Sequence, residues 1–217
     1  MDGSDLNISN VGVGSYRCRT TFKGFGGHSF GAFGMANPIQ AMGRAIAKID
    51  NIEVPADPRT TFNVGRVDGG TSVNAIPFEC WMEVDMRSSD KDALESVNSK
   101  FKTAVQEAVE EENRRWKNRG PVTVENEVVG VRPAGSTSAD SAIVLTAIAV
   151  TKLFGGDGKL RERSSDSNVP MNLGIPAVTI GGGGAGSGGH SLSEAWNSRD
   201  SWLGTERGLL LAVALAR

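Results

Sequence analysis

The chain has 217 residues, enough for one large domain or two small ones with a buried core. Hydrophobic residues make up 39% and charged residues 22%, a composition that excludes a charge-rich disordered segment and predicts a soluble, folded chain. Lys and Arg number 23 against 25 Asp and Glu, and this net charge of −2 argues against a nucleic-acid partner.

Neither a leader peptide nor a membrane span is predicted. The first ten residues, MDGSDLNISN, are polar and lack the apolar core of a signal peptide. The longest apolar runs, at 143–150 and 209–216, are far shorter than the roughly 20 residues that span a bilayer. Cys18 and Cys80 lie in segments that alternate like strands, which favours two buried thiols over a disulfide and predicts a cytoplasmic protein.

Hydrophobic periodicity in the first two thirds of the chain predicts four strands and two helices. Residues 15–23 alternate polar and apolar side chains with the period of a half-buried strand. Asn37 and Pro38 form an N-cap and a first helical position ahead of apolar residues at helical spacing. The predicted elements are a strand at 15–23, a helix at 37–50, strands at 60–67 and 78–87, a helix at 90–118 and a strand at 121–131.

This order of elements predicts an α+β fold. It is the split βαβ, or ferredoxin-like, arrangement, in which a four-stranded antiparallel sheet carries two helices on one face. The other face of the sheet is polar, so it is either exposed or used for contact. Trp81 lies on that polar face, where an aromatic side chain indicates a buried interface.

Residues 134–217 do not have the pattern of a complete domain. They predict helices at 139–154 and 201–216, a short helix within SSDSNVPMNLG and a strand at 175–180. That strand, IPAVTI, is a continuous apolar run typical of a parallel sheet covered on both faces. Because one strand makes no sheet, we interpret the segment as an incomplete piece of an α/β layer whose core is completed from elsewhere.

Both histidines of the chain, His28 and His190, occur in the tetrapeptide GGHS. The two glycines before each histidine have no side chains and so leave space around the imidazole ring. Each histidine is therefore either a side chain that contacts a ligand or simply a loop histidine. A catalytic zinc takes three protein ligands, so a zinc-binding histidine would need partners such as Asp140, Asp166, Glu194 or others.

The chain has 28 glycines, and seven of them lie at 181–189 in the run GGGGAGSGG. The run follows a strand and satisfies G-x-G-x-x-G, but a polar loop comes next where a dinucleotide site would need a helix. The pattern therefore favours a loop whose backbone passes close to a metal or a substrate over a nucleotide-binding site.

Asn74 and Arg87 flank the third predicted strand and allow two interpretations. A guanidinium fork and an amide donor are well suited to hold a carboxylate. Alternatively, Arg87 is a rim residue paired with Asp85 or Asp90. The spacing alone does not decide between them.

Three strings carry a family resemblance that covers nearly the whole chain. They are YRCRTTFKGFGGHSFGAFGMANPIQAMGRAI, GGTSVNAIPFECWMEVDMRS and SSDSNVPMNLGIPAVTIGGGGAGSGGHSLSEAW. In this order and spacing they resemble the zinc metallopeptidases grouped with acetylornithine deacetylase, succinyl-diaminopimelate desuccinylase, the glutamate-releasing carboxypeptidase and tripeptidase T.

The resemblance implies a domain organisation. In that family the split βαβ unit is a lid, or dimerisation, domain inserted into a larger α/β zinc-binding domain. Residues 15–133 would be this lid, residues 134–217 the C-terminal portion of the catalytic domain, and residues 1–14 a connector. The same resemblance implies a homodimer formed through the lid.

The resemblance also implies site residues and a reaction. His190 corresponds to a zinc ligand, and His28 to the lid histidine that reaches in trans into the partner subunit's site and hydrogen-bonds to the oxyanion. Asn74 and Arg87 correspond to the residues that hold the free carboxylate of the substrate. The implied reaction is hydrolysis of an amide bond in a small peptide or an N-acyl amino acid by zinc-bound water, with a glutamate as general base.

The sequence departs from the family by lacking its H-x-D-x-V segment, bridging aspartate, Glu-Glu pair and further carboxylate ligand. We therefore expect no tight binding of the family's two zinc ions and no activity of this chain alone. It is interpreted as a fragment or the downstream half of such an enzyme, with a separate N-terminal half as partner. The alternative is a non-catalytic dimerisation module, which would not need His190.

Overall fold

The computed structural model describes residues 1–189 and 191–216. The chain forms two compact units. The inserted unit is Ser15–Val131, and the discontinuous unit combines Met1–Gly14 with Arg132–Arg217.

The secondary structure comprises short and long strands with five helices among the described residues. The strands are β1 (Ile8–Gly12), β2 (Gly14–Lys23), β3 (Gly27–His28), β4 (Thr60–Gly69), β5 (Ala75–Ile76), β6 (Glu79–Ser88), β7 (Thr123–Arg132), β8 (Gly135–Ser136), β9 (Leu160–Arg163), β10 (Thr179–Ile180), β11 (Ala185–Ser187) and β12 (Ala195–Asn197). The helices are α1 (Pro38–Asp50), α2 (Lys91–Arg115), α3 (Ala142–Leu153), α4 (Asn168–Asn172) and α5 (Ser201–Leu215).

The inserted unit has the predicted ferredoxin-like fold. Its sheet has the order β4-β6-β2-β7, and α1 and α2 pack against it and against each other. Helix α1 begins where the sequence indicated, because the Asn37 side chain accepts hydrogen bonds from the amides of Ile39 and Gln40 at 2.9 and 3.4 Å. Asp90 caps α2 in the same way, accepting from the amide of Ala93 at 2.8 Å.

The core of the inserted unit lies between the helices and one face of the sheet. Alternate residues of β6 are buried there, as the period of a half-buried strand requires. These residues are Cys80, Met82, Val84 and Met86. Cys18 and Cys80 are free and buried, which confirms the prediction of two buried thiols. Phe78, expected on the same face, lies outside β6 and is 67% exposed, against Gly26.

The polar face of this sheet carries a network of opposite charges around Trp81. The guanidinium of Arg19 stacks 3.9 Å from the ring centroid, and that of Arg66 lies 5.3 Å from it. Glu83 pairs with both arginines, at 3.5 and 3.0 Å. Trp81 is thus in contact with charged groups of its own sheet, so the buried interface that we inferred from it is not required.

The discontinuous unit contains a sheet that the sequence did not predict. Strand β1 lies at its centre and pairs antiparallel with β10 and β8 and parallel with β9. The segment 1–14, expected to be a connector, therefore supplies the central strand. The strand predicted at 175–180 shortens to the two residues of β10, and Ile175 is 55% exposed.

Apolar side chains remain uncovered on the helices of the discontinuous unit. Its buried cluster is small and consists of Ile8, Ala147, Ile180 and Leu211. Exposed apolar residues on α3 and α5 are Leu145, Leu153, Trp202, Leu209, Leu210, Val213 and Leu215. Across the described ranges, no helix combines the length and apolar character needed to cross a bilayer.

Candidate functional site

His28 and Asn74, far apart in the sequence, lie side by side in the inserted unit. The short strands β3 and β5 pair antiparallel, with His28 opposite Ala75. One residue further along, the amide of Ser29 donates to the carbonyl oxygen of Asn74 at 2.9 Å. Backbone pairing therefore places the two predicted site residues next to each other.

The environment of the His28 ring defines which of its two nitrogens can donate a hydrogen bond. Nδ1 accepts hydrogen bonds from the amides of Phe30 and Gly31, both at 3.3 Å, and the side chain is exposed. Because an accepting Nδ1 carries no proton, the neutral ring holds its proton on Nε2. His28 thus presents an N–H donor at the surface of the inserted unit.

Asn74 also carries side-chain donors. Its Oδ1 accepts a hydrogen bond from the hydroxyl of Ser72 at 2.6 Å, which leaves the two N–H donors of Nδ2 for other partners. The neighbouring side chains are apolar and fully accessible: Phe30 is 88% exposed and Val73 is 103% exposed. The Nδ2 donors of Asn74 and the Nε2–H of His28 can each hold a carbonyl or carboxylate oxygen.

Arg87 lies elsewhere. It is near the C-terminal end of β6, opposite Thr61 of β4, and its Nε is 2.6 Å from Oδ2 of Asp85. The eight residue-to-residue steps from Glu79 to Arg87 extend about 26 Å at the rise of a strand, so Arg87 does not meet Asn74 within one copy of the chain. The ion pair with Asp85 is one of the two interpretations left open by the sequence.

The metal-site prediction rests on a residue outside the described part. His190 is not among the described residues. Of the proposed partner ligands, Asp166 lies 3.8 Å from Arg132. Among the residues that are described, no group of three or more His, Cys, Asp or Glu could hold a metal ion. These residues do not fit a zinc centre, which needs three protein ligands.

The glycine run forms a hairpin rather than the start of a helix. Strands β11 and β12 pair antiparallel, with Gly186 opposite Trp196. The run is also bonded to the beginning of the chain, because the amide of Gly182 donates to the carbonyl of Gly3 at 2.8 Å and that of Gly183 to Asp5 at 3.0 Å. The geometry required of a dinucleotide fingerprint is therefore absent from the described part of this loop.

Arg207 is a residue that our sequence analysis missed. It is 1% exposed, and its guanidinium donates to the carbonyls of Leu6 at 2.5 Å and Gly181 at 2.6 Å and to the Thr151 hydroxyl at 3.2 Å. Burial lowers the pKa of this guanidinium, while the charge of Asp5 opposes the shift. The available signal was an arginine within the apolar helix SWLGTERGLLLAVAL, since a buried charge needs polar partners.

Comparison with known protein families gives one match. Residues 8–113 match the family model described as a peptidase dimerisation domain, of the M20 peptidases. The chain carries a peptidase dimerisation domain. The match begins at β1 and ends within α2, so it includes His28, Asn74 and Arg87. Proteins of this family are generally metal-dependent.

Solved structures share the fold of this dimerisation domain and of the discontinuous unit. A tripeptidase from Staphylococcus aureus is 17% identical, with a TM-score of 0.76 over 97% of this chain and 54% of its own. The aminopeptidase PepT of Bacillus cereus is 20% identical, with a TM-score of 0.75 over 100% and 56%. An amidase of the hydantoinase/carbamoylase family from Burkholderia phymatum is 19% identical, with a TM-score of 0.65 over 97% and 50%.

The chain spans about half the length of these solved structures. A comparison with curated protein sequences found no match.

Proposed function

We propose that the chain supplies the lid and the C-terminal portion of the catalytic domain of a zinc-dependent amide hydrolase acting on small peptides or N-acyl amino acids. Residues 15–133 would be the lid and residues 134–217 the catalytic portion. The observation that carries this proposal is that backbone pairing brings His28 next to Asn74 within a segment that matches a peptidase dimerisation domain. The zinc ligands would come largely from a separate N-terminal half, so this chain alone would be inactive.

His28 is the proposed oxyanion donor. Its Nδ1 is occupied by two backbone amides, so Nε2–H is the group that can donate to an oxygen that gains negative charge. No metal-ligand group of the described residues accompanies it. As the resemblance implies, His28 would act in the site of the partner subunit of a homodimer.

Asn74 and Arg87 are the proposed carboxylate-binding residues. One copy of the chain holds them at opposite ends of β6, so both can contact one substrate only if they come from different copies. A two-fold dimer provides this arrangement twice. Binding a substrate carboxylate would also require Arg87 to share or exchange its contact with Asp85.

A non-catalytic dimerisation module is the second candidate. The ion pair between Arg87 and Asp85 favours it, because an arginine that already has a carboxylate partner needs no substrate to neutralise its charge. The cytoplasm is the proposed compartment for either candidate, since both cysteines are free thiols.

Zinc content and complementation test the proposal. After dialysis the purified chain should hold less than one tightly bound zinc ion, because three ligands are needed, and should not hydrolyse dipeptides, tripeptides or N-acetyl amino acids. Mixing it with a polypeptide that carries H-x-D-x-V and a Glu-Glu pair should produce zinc-dependent hydrolysis. Stoichiometric zinc and turnover by the chain alone would show that it is not an incomplete enzyme.

A matched pair of variants tests the role of His28 in the complemented enzyme. His28→Ala should lower kcat by about 10²- to 10³-fold, the usual effect of losing an oxyanion donor. Ser29→Ala, which keeps the backbone bond to Asn74, should leave kcat close to that of the unaltered chain. If no complementing polypeptide produces hydrolysis while the chain still dimerises, the second candidate is the correct one.

A further inference from the structure

The loop of residues 29–36, which leads from β3 to α1, holds the ring of His28 in place; we call it the His28 loop. The amides of Phe30 and Gly31 both donate to Nδ1 of the ring at 3.3 Å. The amide of Ala32 donates to the backbone carbonyl of His28 at 2.8 Å. The hydrogen bonding of the ring therefore depends on the conformation of this loop.

The far end of the His28 loop is bonded to Arg119, which follows α2. Nη1 of Arg119 donates to the Phe33 carbonyl at 3.2 Å, and the Arg119 carbonyl accepts from the Ala36 amide at 3.0 Å. The near end of the loop is bonded to the Asn74 carbonyl, as described above. The two amides that occupy Nδ1 lie between these anchors, so without the Arg119 anchor the loop would be held from one end only.

Trp116 supports the same end of the loop. Its ring meets that of Phe33 edge to face, with the centroids 5.4 Å apart and the planes at 77°. Its Nε1 donates to the buried carboxylate of Glu112 at 2.9 Å, which fixes the indole. A Cβ on Gly34 would lie 3.4 Å from Nη1 of Arg119 and 3.8 Å from Cε3 of Trp116, so the loop lies directly on both side chains.

The backbone between Trp116 and Arg119 has an uncommon conformation. Lys117 and Asn118 have φ values of +52° and +58°, in the left-handed region that residues with a side chain rarely adopt. Such residues persist there only where the surrounding structure compensates for the strain. Here the turn ends α2 so that Trp116 and Arg119 both contact the His28 loop.

We propose that Arg119 and Trp116 are positioning residues that keep the proton of the His28 ring on Nε2, because they hold the loop whose amides occupy Nδ1. The proposal rests on the function proposed above, in which Nε2–H donates to the oxyanion. A ring with its proton on Nδ1 would instead turn an unprotonated Nε2 toward an oxygen that gains negative charge. Both residues lie outside the motif strings that carry the family resemblance, and both act through His28 rather than on the substrate.

Nuclear magnetic resonance of the full chain, labelled with nitrogen-15, tests the position of the proton without any hydrolysis. At about pH 8, where an imidazole is normally neutral, His28 should give the Nδ1 signal of an unprotonated nitrogen and the Nε2 signal of a protonated one. In Arg119→Met these signals should move toward each other, because the proton divides between the two nitrogens. The amides of Phe30 and Gly31 should exchange hydrogen at least about tenfold faster. His28→Ala assigns the ring signals, since the chain has only 2 histidines.

Matched variants separate positioning from a general loss of stability. Arg114→Met removes an exposed guanidinium from the last turn of α2 and should leave the His28 signals unchanged. Arg119→Lys keeps one charged donor and should give signals between those of the unaltered chain and those of Arg119→Met. Trp116→Phe keeps a ring to pack against Phe33 and should retain more of the Nε2–H form than Trp116→Leu.

A double-mutant cycle in the complemented enzyme tests whether Arg119 acts through His28. Arg119→Met should lower kcat by about 3- to 10-fold with little change in KM, and should have no further effect in a His28→Ala background. A protonated Nδ1 in the unaltered chain, unchanged signals in Arg119→Met, or equal losses of kcat with and without His28 would overturn the proposal. Because the resonance experiment needs only this chain, it decides the proposal separately from whether any complemented mixture hydrolyses a substrate.

Discussion

The carboxylate of Glu112, which has no exposed surface, accepts a hydrogen bond from Nε of Arg44 at 3.1 Å and so joins the two helices of the inserted unit. The same carboxylate accepts from the amide of Asn37 at 3.0 Å and from Nε1 of Trp116 at 2.9 Å. One side chain of α2 therefore satisfies both a charge on α1 and the residue that caps α1.

Removing this carboxylate should destabilise the inserted unit. Glu112→Ala leaves three partly buried donors without their acceptor, and we expect the free energy of unfolding to fall by about 1–3 kcal/mol. Glu112→Gln keeps an acceptor oxygen and should cost less. Urea denaturation followed by circular dichroism measures both. Glu111→Ala, at an exposed neighbouring position, is the control, and an equal loss of stability there would contradict the explanation.

Arg207→Met should loosen the glycine run. The substitution removes the donor of the buried Gly181 carbonyl, which costs about 1–3 kcal/mol, and that of the partly buried Leu6 carbonyl. Amides at 181–184 should then exchange hydrogen faster, with little change in the inserted unit. Arg199→Met, at an exposed position, should leave the exchange pattern as it is; identical patterns for both variants would argue against the role of Arg207.

Stability should decline in alkaline solution because of the buried thiols. Burial raises the pKa of Cys80 from 9.0 to about 12 and also raises that of Cys18. Between these values the unfolded chain loses the Cys80 proton while the folded chain keeps it. The contribution of the neutral thiol is therefore complete below pH 9 and is lost as the pH rises toward about 12.

Urea midpoints measured from pH 7 to pH 11 test this dependence. The variant with both Cys18→Ala and Cys80→Ala should show a smaller decline above about pH 9 than the unaltered chain. In the folded chain, neither thiol should react with a thiol reagent at neutral pH, whereas both should react in urea. Parallel declines in the two proteins would assign the alkaline sensitivity to other groups.

Self-association should depend on one edge of the inserted sheet. The free edges are β4 and β7, which expose Val67 and Val128 respectively. A two-fold dimer joins the same surface of both copies, so only one of these two edges can form the interface. A charge introduced on that edge should weaken the dimer, and a charge on the other edge should not. Light scattering at micromolar concentration should show a dimer, and either Val67→Lys or Val128→Lys, but not both, should dissociate it. A monomeric unaltered chain would contradict this prediction.

Hydrogen exchange should distinguish the two units. The inserted unit has an extensive buried cluster, whereas that of the discontinuous unit is small and its helices expose apolar residues. Amides within 15–131 should therefore be protected more strongly than those within 175–216. Equal protection in a monomer would show that the discontinuous unit folds fully without further residues.

The sequence was sufficient for the inserted unit because its signals are local. Alternation along β6 and the Asn37 cap each depend on neighbouring residues, and the structure reproduces both. The discontinuous unit was not predictable in this way. The sequence of β1, ISNVG, has no alternation, and it becomes a strand only through partners such as Leu160 and Ile180.

The candidate site was likewise only partly predictable from the sequence. The family resemblance indicated that His28, Asn74 and Arg87 are site residues, because its motif strings contain all three. Which of them are neighbours came from the register of β3 with β5 and the length of β6. For Trp81 the sequence identified the correct face of the sheet but not its contacts. Its stacking on Arg19 depends on the adjacent strand, which local alternation does not reveal.

The central position of β1 has a consequence for how the chain folds. Its partners β8, β9 and β10 are synthesised only after the whole inserted unit, so the sheet of the discontinuous unit cannot close until late. Gly14 and Ala134 are in backbone contact, since a Cβ on Gly14 would lie 2.6 Å from the Ala134 nitrogen. A folded insertion whose ends already meet shortens the loop that β1 must close. We therefore expect the insertion to fold first and to raise the folding rate of the segments that flank it.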